Sequence, residues 1–277
     1  MKEKISFYSI PYPRMKSYYD LIDATAEHGL DYMEAYCFFE LAEPDAAAAK
    51  KIREYADSKG VKFSCFSLFI NLVGRDRRKQ IERLKGFAEM AAILGSPYLH
   101  HTIVNDIRDP ENVLPYKDEY FRLGIEAVRE VYDHAETFGV KCIYEEQGYL
   151  FNGVENFKKF IDTVDRDIGI VADFGNICQV GEKVEDFIEA FSDKIMHVHV
   201  KDVIINDETG LKTSTGRYMR EAVIGTGDVN IKKAIHLLME KGYKGCYAIE
   251  YGAKTDDSSA MYEAIEYIKQ AIILGDK

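Results

Sequence analysis

The chain has 277 residues, a formal net charge of −11, 47% apolar and 30% charged residues. That composition provides a large core and a solvated surface and excludes intrinsic disorder. The acidic balance, with no basic stripe, argues against a nucleic-acid partner. No apolar run approaches the roughly 18 residues of a membrane span, and the opening MKEKISFYSI lacks the apolar core of a signal peptide. Five scattered cysteines, Cys37, Cys65, Cys142, Cys178 and Cys246, form no CxxC pair and read as reduced thiols of a cytoplasmic protein.

In chain order, short runs rich in β-branched and aromatic residues alternate with longer amphipathic segments. A strand at 5–10 precedes a helix at 15–28, which Gly29 closes because glycine adopts the left-handed cap at little cost. A strand at 32–36 leads through Pro44-Asp45 into an alanine-rich helix ending at Lys59-Gly60. The third strand, 61–67, precedes a helix at 76–94 with Gly95 as its cap. The fourth, 98–102, is followed by a loop with Pro110 and Pro115 and a long helix ending at Phe138-Gly139. Strands at 140–145 and 168–173 precede helices at 154–164 and 184–191. A seventh strand, 195–201, opens a long polar loop at 202–230 and a helix to Lys241-Gly242; an eighth, 246–251, precedes a last helix at 258–274. Eight such units imply a parallel sheet, and the expected fold is a single-domain (β/α)8 TIM barrel over residues 1–277. The alternative, a doubly wound open sheet, is disfavoured because no glycine-rich dinucleotide fingerprint follows the first strand.

In such a barrel the chemistry sits at the C-terminal ends of the strands. The fifth strand ends in Glu145-Glu146, the sixth in Asp173, the seventh runs His197-Val198-His199-Val200-Lys201-Asp202, and the eighth ends in Glu250. Side chains alternate along a strand, so Glu145, Asp173, His199 and Glu250 converge on the axis if their sets point inward. Taken singly, a strand-end acid is commonly a helix cap and a histidine a packed core residue. Four such endings in succession favour a shared site, although a one-residue slip would exchange Glu145 for Glu146. Three buried carboxylates need a counter-charge, and oxygen-rich ligation with one imidazole suits Mn²⁺ best, with Mg²⁺, Co²⁺ or Zn²⁺ tolerated. Around this site His101, Glu34, Lys201, Arg217 and Arg220 are candidate substrate-binding residues, the cations for sugar oxygens or a phosphate. Tyr8, Phe38, Phe66 and Phe69, at or near other strand ends, are candidate walls of the pocket.

The ordered set resembles the sugar phosphate isomerase/epimerase family, the xylose-isomerase-like barrels that include ketose 3-epimerases and inosose dehydratases. The segment 139–145 is similar to the family's strand ending in a metal-binding glutamate, and 170–176 to its Asp-x-Gly-His/Asn motif. His197 to Asp202 resembles its His-x-Lys-Asp motif, Gly225-Thr226-Gly227-Asp228-Val229 its Gly-x-Gly turn, and Tyr247-Ala248-Ile249-Glu250 its closing strand. The resemblance implies that Glu145, Asp173, His199 and Glu250 hold one metal and that Glu145 and Glu250 are the acid/base pair. It places Asn176 where many members carry a substrate-binding histidine. The implied activity is isomerisation or epimerisation of a small sugar or sugar phosphate through an enediolate. The alternatives are a dehydratase of a keto-inositol and a non-catalytic sugar-binding barrel. The Asp-Thr-Cys-His and His-x-Asn-Asp signatures of the family's endonuclease branch are absent from the sequence, which disfavours DNA repair. A homo-oligomer is left open.

Overall fold

Eight parallel strands close into a barrel in the computed structural model, which describes residues 4–8, 15–104, 113–250 and 258–275. The strands in chain order are β1 (Ile5–Tyr8), β2 (Tyr32–Tyr36), β3 (Lys62–Leu68), β4 (Tyr98–His101), β5 (Lys141–Glu145), β6 (Gly169–Asp173), β7 (Ile195–Val200), β8 (Asp202–Ile205), β9 (Leu211–Lys212), β10 (Tyr218–Ala222) and β11 (Tyr247–Ile249). Strands β1 to β7 pair in sequence and β11 closes the barrel between β7 and β1, while β8, β10 and β9 form a separate antiparallel sheet. The helices are α1 (Tyr18–Glu27), α2 (Ala46–Lys59), α3 (Arg77–Leu94), α4 (Lys117–Glu136), α5 (Val154–Val164), α6 (Phe174–Gln179), α7 (Val184–Phe191), α8 (Ile231–Glu240) and α9 (Ser258–Gly275). None of the described helices is long and apolar enough to cross a membrane. All five cysteines are free.

The helices form where the apolar stripe and the capping residues coincide. Asp45 accepts hydrogen bonds from the Ala47 and Ala48 N–H groups and so starts α2, a run of alanines with high helix propensity. The stripes of α3 and α5 bury large rings against the outer faces of the strands, and the rings of α7 pack on Phe157 of α5. Phe87 of α3 meets Phe66 of β3 edge-on at 5.4 Å, and Phe160 of α5 meets Tyr144 of β5 at 5.5 Å. Each fully buried aromatic of this layer contributes on the order of 1.5–3 kcal/mol of transfer free energy. Phe66 therefore belongs to the outer core and does not wall a pocket.

Inside the barrel the filling is thin. Cys65, Ile143 and Val171 form a small apolar layer, with Tyr98 and Met196 against it. Above that layer the inward side chains are polar. Bulges at Met33/Glu34 and Ile170/Val171 shift the register just below the C-terminal ends, a device that re-aims side chains.

The polar stretch 202–230, expected as a loop, contains the three-stranded sheet instead. Asn206 and Gly216, both at positive φ, shape its two turns. Arg220 pairs with Ile204 and Glu221 with Val203 in the register. Asp202 ties the return of this excursion to the barrel, because its carboxylate accepts from the N–H groups of Gly225, Gly227 and Val229. A Cβ on Gly227 would lie 2.3 Å from the Asp202 oxygen, so the turn admits only glycine there.

Candidate active site

Four carboxylates meet at the C-terminal mouth around one imidazole. His199 Nδ1 lies 3.1 Å from Glu145 Oε2, 3.0 Å from Glu250 Oε2 and 4.0 Å from Asp173 Oδ2. Its other nitrogen, Nε2, lies 3.0 Å from Glu34 Oε1. The strand register explains the convergence: His199 is level with Asp173 on one side and with Ala248 on the other, the residue two before Glu250.

Each carboxylate facing Nδ1 uses one oxygen as an anchor and presents the other. Glu145 Oε1 accepts from the Asn176 side-chain amide and, at 3.3 Å, from Gln147 Nε2. Glu250 Oε1 is held by Lys201 Nζ at 2.6 Å. Asp173 Oδ1 caps α6, accepting from Gly175 N at 2.8 Å and Asn176 N at 2.9 Å, while Oδ2 faces the cluster and Lys201 Nζ at 2.8 Å. Asp173 is thus both helix cap and cluster member; the bland and the functional reading each describe one of its oxygens. Gly175 leaves room for this, since a Cβ there would meet the Lys201 stem at 2.6 Å.

The charges do not balance among these groups alone. Burial is the largest influence on Asp173 and, against Lys201, pushes it up to about 8. Burial lowers His199, but Glu34, Glu145 and Glu250 more than offset this and hold the imidazole well above its ordinary value. Burial also lowers Lys201, yet Asp173 and Glu250 keep it charged. One Nδ1 hydrogen cannot serve both Glu145 and Glu250, and Glu250 Oε2 is buried without a hydrogen bond. Three oxygens and one nitrogen, mutually within 4.8 Å, fit a divalent cation, which would take the place of protons between them.

Beneath the cluster lies a supporting layer. Glu34 is fully buried and accepts from His197 Nε2 at 2.6 Å, from His199 Nε2 and from the Ser67 hydroxyl. Burial would raise this carboxyl, but the two imidazoles outweigh it and keep Glu34 well below its usual range. Glu34, expected among the substrate-binding residues, does not line the cavity over the cluster; fully buried under His199, it orients the ring and fixes Nδ1 as the nitrogen facing the cluster. Tyr8 stacks on the opposite side, ring centroids 4.9 Å apart.

A cavity of about 480 Å³ opens over the cluster, bounded by Tyr8, Phe38, Phe69, His100, Asn176 and Lys201 among others. A larger one, about 700 Å³, opens at the other end of the barrel between Lys4, Tyr32, Lys62 and Lys244, and contains none of the cluster residues. The smaller cavity is the candidate site, because among the described residues the cluster of carboxylates, imidazole and amine opens into it.

Several expected contacts fall elsewhere. His101 points to the outer face of β4, where its ring nitrogens meet the Tyr144 hydroxyl at 3.0 Å and the Thr102 carbonyl at 2.9 Å. The inward histidine of that strand is His100. Arg220 turns out to Asp207 at 2.7 Å, so its neighbour Glu221 lines the cavity. Arg217 stands at the exposed turn after Thr215 and does not line it either. Glu146 is not the cluster member: it is buried behind Glu145, accepts the Asp173 N–H at 2.9 Å and is pushed well up by burial. His100, Ser67, His197 and Gln147 were not singled out from sequence; alternation on β7, phased by His199, points to His197, while His100 is placed by its pairing with Ile143 in the barrel.

A profile of the xylose isomerase-like TIM barrel matches residues 22–271. Among curated relatives, an inosose isomerase of Halalkalibacterium halodurans is 24% identical over 255 residues, covering 89% of this chain and 87% of that one. Among solved structures, D-psicose 3-epimerase of Clostridium cellulolyticum with D-tagatose superposes with a TM-score of 0.78 at 16% identity, covering 97% of this chain and 99% of that chain. The IOLI protein with a bound zinc atom superposes with a TM-score of 0.76 at 21% identity, covering 97% and 98%. The closed barrel, the ordered strand-end motifs and a match over most of its length together identify the chain as a member of the xylose isomerase-like TIM barrel family.

Proposed function

We propose that the chain is a divalent-metal-dependent isomerase or epimerase of a small, uncharged keto sugar or keto-inositol. The observation that carries this reading is the trio of carboxylate oxygens within 4.0 Å of His199 Nδ1, each anchored through its other oxygen. Glu145, Asp173, His199 and Glu250 would hold the ion, Mn²⁺ foremost by its donor set, and it would supply Lewis-acid polarisation of a bound carbonyl and acidify the adjacent C–H. Glu145 and Glu250 approach the cluster from different strands, one steadied by Asn176 and Gln147, the other by Lys201. One takes the proton and the other returns one, so return to the same carbon epimerises and return to its neighbour isomerises. Phe38 and Phe69 give the cavity an apolar side, and Tyr8 stacks on His199.

An uncharged substrate is favoured by the lining. Among the described residues, Lys201 is the lysine or arginine in the wall, and it is already engaged by two carboxylates; Glu145, Glu221 and Glu250 line the same space. A phosphate would meet net repulsion.

The test is a panel of ketoses, inososes and their phosphates incubated in D₂O with Mn²⁺ and followed by NMR. Deuterium should enter an unphosphorylated member at the carbon beside its carbonyl, and Glu145→Gln and Glu250→Gln should abolish it. Exchange into no member while calorimetry shows the ion bound would sink the reading; loss of water without isomer formation would assign a dehydratase.

A further inference from the structure

We propose that His100 recognises a hydroxyl group of the substrate through an unprotonated Nε2, and that Ser67 and Glu34 lock the ring in that tautomer. The inference rests on the uncharged keto-sugar reading above and adds the hydrogen-bonding sense of one substrate contact.

The tautomer follows from counting hydrogens along a buried chain. Ser67 Oγ has one hydrogen and three polar neighbours: Glu34 Oε1, His100 Nδ1 at 3.1 Å and Cys65 Sγ at 3.6 Å. Glu34 receives from His197, His199 and Ser67, and an ionised carboxylate only accepts. The Ser67 hydrogen is therefore spent on Glu34, and the Ser67 oxygen must accept from its other neighbours. His100 Nδ1 carries the hydrogen, and a neutral imidazole protonated at Nδ1 has a bare lone pair at Nε2.

That lone pair has no partner. His100 is 4% exposed, it borders the cavity, and its Nε2 makes no hydrogen bond although Glu145 Oε2 lies 3.5 Å away. Two acceptors side by side repel each other, and an orphaned buried acceptor is uncommon in native proteins. A hydroxyl hydrogen satisfies Nε2, and the same hydroxyl oxygen can turn toward the cluster. A phosphate or carboxylate oxygen offers no hydrogen and would add to the repulsion; a keto oxygen offers none either. The geometry thus selects a polyol with a free hydroxyl next to the group handled by Glu145, and selects against the deoxy and phosphorylated analogues at that position.

Two measurements test this, and the first does not depend on turnover. In zinc-loaded protein with ¹⁵N-labelled histidine, long-range ¹H–¹⁵N spectra should show His100 protonated at Nδ1 and bare at Nε2. The signals are assigned by their loss in His100→Gln, and Ser67→Ala should weaken the preference. A hydrogen on Nε2 overturns the proposal, as does a second equivalent of zinc bound per chain that disappears in His100→Leu, since the lone pair would then be a metal ligand. The second measurement uses the inosose or ketose that wild type exchanges in D₂O. His100→Leu should lower kcat/KM about 10–100-fold at unchanged affinity for the first ion, and His100→Gln, whose carbonyl oxygen can replace Nε2, should recover most of it. Wild-type turnover in His100→Leu overturns the proposal. Should wild type itself exchange no compound, the functional reading fails, and the tautomer measurement still decides the assignment of His100.

Discussion

The two halves of the barrel contribute to the mouth in different ways. Strands β5, β6 and β7 and the end of β11 supply Glu145, Asp173, His199 and Glu250, each with an atom turned toward a common point. Strands β2, β3 and β4 supply Glu34, Ser67 and His100, which are linked to one another and lie behind or beside that point. The first set has more acceptors than donors and incomplete hydrogen bonding; the second, apart from His100 Nε2, is satisfied. Buried polar groups are ordinarily paired, so the unmatched half is where an outside partner belongs, and the matched half is what keeps that partner's ligands in position. Closure of the barrel brings together two halves that have few local contacts in sequence, as the 163-residue separation of His197 from Glu34 illustrates.

Substitutions in the two halves should therefore fail differently. The largest effect is expected for Glu250→Gln. It keeps size and an oxygen but removes the acid/base function, and the exchange rate should fall about 10²–10⁴-fold even at saturating Mn²⁺. If excess metal restores the rate, Glu250 is a ligand only and the comparison loses its chemical half. Glu34→Gln should behave in the opposite way. Its amide presents hydrogens to imidazoles that need an acceptor, so affinity for the ion should fall about 10–100-fold, measured by competition with a chelator, while the rate at saturation changes far less. A saturated rate as low as that of Glu250→Gln would show that Glu34 acts in the chemistry and not through His199.

Much of this division was legible in the sequence. The βα rhythm, the capping glycines and the strand-end acids gave the barrel and the unmatched half, because period-two alternation is strong in buried parallel strands. The supporting half was not, for three physical reasons. Glu34 lies two residues before the end of β2, and the bulge at Met33/Glu34 that sets its depth leaves no mark in the residue pattern. Adjacent His100 and His101 face opposite ways, and nothing local phases β4. Strand β10 is short and mostly water-exposed, so it lacks the apolar alternation that would have separated Arg220 from Glu221.

Protons compete with the ion in the unmatched half, and this sharpens the comparison with pH. Asp173, pushed up to about 8, and His199, held well above its ordinary value, both retain protons at neutral pH when no cation is present. The sign follows: both folded-state values are raised, so the stability these protons contribute is present at low pH and is lost as pH climbs through them. Ion binding must displace the protons, so apparent affinity should rise with pH up to about 8, by at most about tenfold per unit for each proton released. The gap in Tm between ion-loaded and ion-free protein should widen over the same range. A flat affinity would mean that the carboxylates are already ionised without a cation, and the imbalance between the halves would disappear.

The smallest expected effect carries the test of substrate charge. Arg217 and Arg220, with Lys201, were the residues that the sequence offered to sugar oxygens or a phosphate; Arg220 lies on β10 and Arg217 in the turn just before it. Arg220 points away, paired with Asp207 through a side chain that is 46% exposed, a kind of surface pair worth about 0–1 kcal/mol. Leu211 and Glu221 of the same sheet face the cavity. Arg217→Ala and Arg220→Ala should therefore leave KM and kcat for an uncharged ketose or inosose within about twofold of wild type. Glu221→Lys, which reverses a charge in the wall, should be the change that lets a phosphorylated ketose in. If the arginine variants instead raise KM tenfold or more for a sugar phosphate that wild type turns over, the β8–β10 sheet closes over the mouth during turnover. The sheet would then be a third functional region, brought to the site by a charge on the substrate.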